Sequence, residues 1–159
     1  MMTPTDVRGM MAVALRAAAD YAESHGMDCS PPKYLVRVTN AGFEAVAKTY
    51  PTRLTCEDIP DVGTALIINR EQDGMDEDAA AYFIHLVGAF QQAMQQFVAP
   101  LTLLHESTDP STFGIVGVML GRALRVMLQR TLDFDEAQAQ NIHFTDVLQH
   151  FDASQATPQ

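Results

Sequence analysis

The chain has 159 residues, of which 47% are hydrophobic and 19% charged, a composition typical of one globular domain and not of a disordered chain. Twenty acidic residues against ten lysines and arginines give a formal net charge of −10. Nucleic acids and anionic membrane surfaces are bound through basic residues, so we expect neither as a partner. A basic protein partner suits this charge, because complementary electric fields speed the encounter of two proteins.

The two cysteines, Cys29 and Cys56, belong to no metal-binding pattern, and we expect reduced thiols in a cytoplasmic protein. The apolar N-terminal run lacks the basic region that precedes it in a signal peptide. A membrane span needs about 18 to 20 uncharged apolar residues. The best candidate, Phe113–Gly121, is followed at once by Arg122. The sequence therefore predicts a soluble protein without a membrane segment.

The first predicted helix begins at a capping box, in which Thr3 is the cap, Pro4 takes the first turn and Asp6 lies three residues after the cap. Apolar residues and alanines then recur at three- and four-residue steps. This pattern predicts a helix that runs to about His25 and ends at Gly26.

Strands are predicted in the next part of the chain. Tyr34–Thr39 is rich in β-branched and aromatic residues, and Thr64–Asn69 is apolar on both faces. A short helix from Phe43 to about Tyr50 separates them, so parallel pairing through a crossover and antiparallel pairing both remain open. Leu101–His105 is a possible third strand.

The segment VRVTNAGFEAV, residues 36–46, places this first strand before T-x-x-G and a helix. It resembles the junction between wing and helix in winged-helix regulators. The resemblance implies a DNA-binding fold, but no recognition helix precedes the strand, and the charge of the chain is unsuited to DNA.

Acidic residues are concentrated between residues 57 and 78, where eight acids accompany the single base Arg70. The last three of them lie at the start of the next predicted helix, about Met75 to Ala99, where the helix dipole favours negative charge. Pro100 ends that helix. The other five acids form the surface on which we expect a basic partner to bind. They are Glu57, Asp58, Asp61, Glu71 and Asp73.

Asp109 and Pro110 begin a further predicted helix, which extends to Thr131. Its first half is apolar on every side, as is typical of a buried helix at the centre of a domain. Gly117 and Gly121 lie on neighbouring turns, and we expect the alanine-rich first helix to approach them closely.

The residues that most resemble a metal-binding site lie near the end of the chain. A last helical region is predicted from a capping box at residues 133–136 to Phe151, and residues 153–159 are expected to be a disordered tail. His143, Asp146 and His150 would share one face of an unbroken helix, and two imidazoles with a carboxylate can bind a divalent metal. A solvated polar face is the alternative that we favour.

His105 and Glu106 precede the helix at Asp109, in a predicted polar loop where they could do acid–base work or bind an anion. No activated nucleophile accompanies them, and the sequence lacks the phosphate-loop, nucleophile-elbow and zinc-protease motifs. Helix capping and solvation are the simpler interpretation. Enzymatic activity is therefore not favoured, and no cofactor is expected.

The sequence predicts an α+β domain over residues 1–152, predominantly α-helical. Four longer helical regions would surround a central buried helix, with a small two- or three-stranded sheet. The leading functional hypothesis is a small cytoplasmic protein-binding module, such as an inhibitor, immunity protein, chaperone or adaptor. One alternative is a ligand- or metal-binding protein or enzyme that uses His105 and Glu106, or the His143, Asp146 and His150 cluster. Another is a homo-oligomeric scaffold without chemistry.

Overall fold

A computed structural model describes residues 3–50, 54–59, 63–68, 77–107 and 109–133. The elements in chain order are α1 (Pro4–Ser24), α2 (Pro31–Thr49), β1 (Leu54–Ile59), β2 (Gly63–Ile68), α3 (Glu77–Gln96), α4 (Val98–Ser107), a 3₁₀ turn (Pro110–Thr112) and α5 (Phe113–Asp133). The described part of the chain is predominantly helical.

Helix α1 begins and ends where the sequence predicts. The backbone N–H of Thr3 donates to Oδ2 of Asp6 at 2.9 Å, and the N–H of Asp6 donates back to Oγ1 of Thr3 at 3.3 Å. This reciprocal pair is the expected capping box, which satisfies amides that the first turn leaves unpaired. At the other end, the N–H of His25 caps the helix by donating to the carbonyl oxygen of Tyr21 at 2.9 Å.

The helix at the centre of the domain is α1 and not, as predicted, α5. Helix α1 contacts α2, α3 and α5. Nine of its apolar residues between Val7 and Ala22 are buried, and five of these nine are alanines, which leave room for three neighbours. Helix α5 packs on one side of α1. Its predicted inner face is confirmed, because Val116, Leu120 and Leu124 are buried.

The opposite face of α5 was predicted to be buried as well, and there the prediction is wrong. Ile115 is 61% exposed and Val118 is 38% exposed. By length and composition alone, the segment Pro110–Asp133 could cross a membrane, a test that core helices of soluble proteins also pass. In this fold one side of the segment is packed against α1.

The predicted α+β class is wrong, because the part of the chain that the structure describes is predominantly α-helical. The segment predicted as the first strand, Tyr34–Thr39, lies inside α2. The buried side chains of α2 recur at helical spacing from Pro31 through Tyr34, Val38 and Gly42 to Val46. This buried stripe outweighs the β preference of the local residues, which is a weak determinant. The winged-helix resemblance fails with the strand on which it depended.

The possible third strand at Leu101–His105 is also helical, because it lies in α4. Pro100 is the third residue of that helix, where a missing backbone N–H costs no helical hydrogen bond. The prediction that Pro100 ends the preceding helix is therefore wrong. The proline lies in the first turn of a new helix. Helix α3 instead ends at Gln96, where Phe97 forms a turn.

Strands β1 and β2 form an antiparallel hairpin, with Leu54 opposite Ile68 and Ile59 opposite Gly63, and the hairpin adjoins α2. The predicted strand Thr64–Asn69 overlaps β2, but its expected partner at 34–39 is helical. The two predicted strands therefore pair with each other neither in parallel nor in antiparallel orientation. Every fully buried core side chain that the structure describes comes from a helix, from the loop between α1 and α2, or from the turn at Phe97.

The close contact between α1 and α5 depends on Gly117 and Gly121, as predicted. A Cβ atom at position 117 would overlap the carbonyl oxygen of Ala22, and one at position 121 would overlap the side chain of Glu23. Gly26 makes a third close approach, because a Cβ atom there would lie 3.0 Å from the Cα atom of Gly114. It joins α1 to α5 and is not the helix cap that the sequence indicated.

Candidate functional site

An open groove of about 370 Å³ lies between α2 and the adjoining parts of α3 and α4. Its size falls within the range of small-molecule sites, about 300 to 1,000 Å³. The described residues that line it are Pro32, Leu35, Val36, Thr39, Asn40, Phe43, Gln91, Met94, Gln95 and Val98.

The floor of the groove is apolar because buried apolar side chains of α2 and α3 line it. Leu35 and Phe43 on α2 and Met94 on α3 are buried. The ring of Phe43 is held by the ring of Phe90, whose centroid lies 6.1 Å away at an interplanar angle of 57°. Tilted aromatic pairs of this kind are favourable. The floor is thus fixed by the core, and the unbranched Met94 gives it some adaptability.

The polar groups of the groove are amides and one hydroxyl. Thr39 Oγ1 donates to the carbonyl oxygen of Leu35 at 2.8 Å, so this hydroxyl is already engaged by its own helix. Gln91 and Gln95 are exposed along the α3 side, and Asn40 lies on the α2 side. The described lining contains no acid, base or thiol. It can bind an apolar group and form hydrogen bonds at the rim, but it offers no catalytic group.

The predicted acidic binding surface is only partly within the described chain. Glu57 and Asp58 lie in β1. Asp61, Glu71 and Asp73 lie outside the described residues, so this surface remains a prediction. The candidate metal cluster of His143, Asp146 and His150 also lies outside the described residues. Within the described ranges, no group of three or more histidines, cysteines and acids could hold a metal ion.

His105 and Glu106 are described, but in a helix and not in the predicted loop. Both are exposed near the end of α4. The imidazole of His105 stacks on the ring of Phe113, with centroids 5.2 Å apart and planes 15° from parallel. This contact joins the end of α4 to the start of α5. The contact gives His105 a packing role.

Arg125 of α5 forms ion pairs with two acids of α1. Its Nε and one terminal nitrogen donate to the two carboxylate oxygens of Glu23, each at 2.8 Å. The same terminal nitrogen donates to Oδ1 of Asp20 at 2.7 Å. The guanidinium holds the pKa of Glu23 below its usual value, mainly through these hydrogen bonds.

Sequence reasoning missed the groove because it divided α2 into a strand and a short helix. The signal was present in the sequence, since Leu35, Thr39 and Phe43 are spaced as one face of a helix. The other wall could not be predicted, because which helix lies beside α2 is decided by tertiary packing.

Comparisons with protein-family models, with curated proteins and with solved structures find no match to this chain.

Proposed function

We propose that the protein is a small protein-binding module, and that its groove between α2 and the α3–α4 region takes an apolar segment of a partner protein. The observation that carries the proposal is the combination of a fixed apolar floor with rim amides and no ionisable side chain among the described lining residues. Apolar grooves between helices receive the apolar face of a partner helix in a recurring mode of peptide recognition.

The charge of the whole chain supports a basic partner. A net charge of −10 attracts a basic segment over a distance of about 8 to 10 Å at physiological salt. Such attraction raises the association rate more than the final affinity. In this proposal the acids, including Glu57 and Asp58, accelerate the encounter, and the uncharged groove supplies the contact that lasts. A cytoplasmic location is part of the proposal, in keeping with the free thiol of Cys29.

Two charge-matched variants test the proposal. Val36→Asp places a carboxylate at the groove, where Val36 is half-buried, and Val118→Asp adds the same charge on an exposed position of α5. Each variant is used to capture proteins from a cell lysate. We expect at least one protein to bind the wild type and Val118→Asp but not Val36→Asp. A purified fragment of that partner should bind with at least a tenfold difference between the variants. Equal binding by both variants would exclude the groove as the contact surface.

The role of charge is tested separately by the salt dependence of the same binding. Raising the salt concentration should lower the association rate and leave the dissociation rate nearly unchanged. If salt changed mainly the dissociation rate, the acids would belong to the contact itself.

A second candidate function is the binding of a neutral, mainly apolar small molecule, favoured by the groove volume of about 370 Å³. A thermal-shift screen with uncharged fragments tests it, because a ligand at 100 times its dissociation constant stabilises a protein by about 2.7 kcal/mol. The shift should be lost in Val36→Asp and kept in Val118→Asp. Absence of any shift across the screen would remove this candidate.

A further inference from the structure

The outer face of α3 carries almost no charge, although the chain as a whole is acidic. Between Asp78 and Glu106 the sequence contains no aspartate, glutamate, lysine or arginine. Six of the exposed residues of α3 recur at steps of three and four, so they form one continuous stripe along the helix, with Asp78 and Gln92 exposed beside it. The stripe consists of Glu77, Ala81, Ile84, Gly88, Gln91 and Gln95.

The centre of this stripe pairs a protrusion with a recess. Ile84 is 66% exposed, which is the highest exposure among the large hydrophobic residues that the structure describes. Gly88 lies one turn further along, and a Cβ atom built on it would meet nothing within 4 Å. A large apolar side chain therefore lies beside a glycine, and the space above this glycine is open.

We propose that this stripe is the contact surface of a homodimer, in which α3 of one copy lies antiparallel to α3 of a second copy. A two-fold axis between positions 84 and 88 places Ile84 of each copy over Gly88 of the other. This is the self-complementary arrangement that a two-fold interface requires. The apolar Ile84 is then covered, and the space above Gly88 is filled.

The rest of the stripe obeys the same symmetry. The axis that pairs 84 with 88 also pairs Ala81 with Gln91 and Glu77 with Gln95. Each Glu77 thus faces a neutral amide, which can donate a hydrogen bond to its carboxylate. A parallel pairing would instead place Glu77 against Glu77. Two chains that each carry a charge of −10 repel, and contact through a nearly uncharged stripe keeps the electrostatic cost of association low.

This inference is independent of the proposed function, but the two surfaces share Gln91 and Gln95. A second copy on α3 would therefore cover the α3 rim of the groove. The test is carried out on the purified full chain without any partner, so its result does not depend on whether the groove binds a protein.

Sedimentation equilibrium over a range of concentrations tests the dimer. We expect the wild-type mass to rise from 17.5 kDa toward twice that value. Ile84→Lys and Gly88→Glu should each weaken association at least tenfold. Ile115→Lys is the matched control, because it makes the same substitution at a similarly exposed isoleucine of α5, and it should associate like the wild type.

An equimolar mixture of Ile84→Lys and Gly88→Glu gives the sharpest result. In the antiparallel pair, the new lysine of one copy meets the new glutamate of the other, while the second contact remains Ile84 over Gly88. Association should therefore be recovered in the mixture. A wild-type mass that stays at 17.5 kDa at every concentration would overturn the proposal. So would equal weakening by Ile84→Lys and Ile115→Lys, or a mixture that fails to associate.

Discussion

The hydroxyl of Tyr34 donates to the carbonyl oxygen of His25 at 2.8 Å and lies 3.3 Å from the carbonyl oxygen of Ala22. A buried side chain from the first turn of α2 thus satisfies carbonyl groups that the end of α1 leaves without helical partners. The same oxygen lies 3.0 Å from where a Cβ atom of Gly117 would be. One phenol group therefore holds together the end of α1, the start of α2 and the glycine face of α5.

Replacing Tyr34 should show how much its hydrogen bonds contribute to the free energy of unfolding. Tyr34→Phe keeps the ring but leaves the carbonyl oxygens of His25 and Ala22 without their donor. We expect a loss of about 1 to 3 kcal/mol in the free energy of unfolding, measured with urea. Tyr21→Phe is the control, since the ring of Tyr21 stacks on His25 and its hydroxyl makes no described hydrogen bond. Equal losses in both variants would contradict this role of the hydroxyl.

The same contact predicts a response to alkaline pH. Burial raises the pKa of Tyr34 above its usual value of 10.0. Because the folded state favours the neutral phenol, its contribution to stability is complete below pH 10 and is lost as the pH rises beyond it. Urea titrations above pH 10 should show stability falling more steeply in the wild type than in Tyr34→Phe. An equal decrease in stability in both proteins would show that groups other than Tyr34 cause the decrease.

Gly117→Ala should destabilise the protein, although alanine favours helices. The added methyl group would meet the backbone of Ala22, which cannot move without displacing α1 from α5. Overpacking of this kind costs about 1 to 3 kcal/mol. Gly114→Ala is the matched control, because nothing lies within 4 Å of its Cβ position, and thermal unfolding should show no loss there. A stable Gly117→Ala protein would mean that the helices can separate freely.

Arg125→Gln removes the ion pairs between α5 and α1. The partners are partly exposed, so the expected loss at neutral pH is only about 0.2 to 1 kcal/mol. The pKa of Glu23 is lowered in the folded state, and its contribution is therefore present above the ordinary value of 4.5. It is lost as the pH falls through the lowered pKa. Wild type and variant should thus converge in acid.

The control for this prediction is Arg16→Gln, which removes the same charge from an exposed position of α1. Unfolding curves measured between neutral pH and pH 3 should change little with that variant. A difference for Arg125→Gln that persists unchanged in acid would rule out Glu23 as the titrating partner.

The N-terminal capping box predicts a coupled loss. Thr3→Ala should lower the free energy of unfolding by about 0.5 to 2 kcal/mol, because the N–H of Asp6 loses its acceptor. Asp6→Ala removes the acceptor for the N–H of Thr3. Since each residue supports the other, the double variant should lose less than both single variants together. Strictly additive losses would show that the two caps act separately.

The features that local chemistry determines could be predicted from the sequence. The capping box at Thr3, the end of α1 at His25 and the start of a helix at Asp109 each depend on residues within one turn. The Gly117 contact was also predictable, since two small residues on successive turns admit another helix. In each case a short stretch of chain contains the whole physical cause.

The errors occurred where tertiary packing decides the outcome. Tyr34–Thr39 has residues that favour a strand, yet burial of Tyr34 and Val38 against neighbouring helices makes it part of α2. Ile115 and Val118 suggested a helix buried on all sides, but α5 has its packing partner α1 on one side. The groove depends on which helices become neighbours, and that information is spread over the whole chain.

The position of α1 has a consequence for how the protein is made. Its apolar face is synthesised before α5, the helix that covers one side of it and ends only at Asp133. Glu23 and Arg125, which bridge the two helices, are 102 residues apart. At ordinary rates of translation this separation is an interval on the order of ten seconds. During that time the nascent chain exposes an apolar, alanine-rich surface of α1, and we expect a chaperone to shield this surface until α5 has been synthesised.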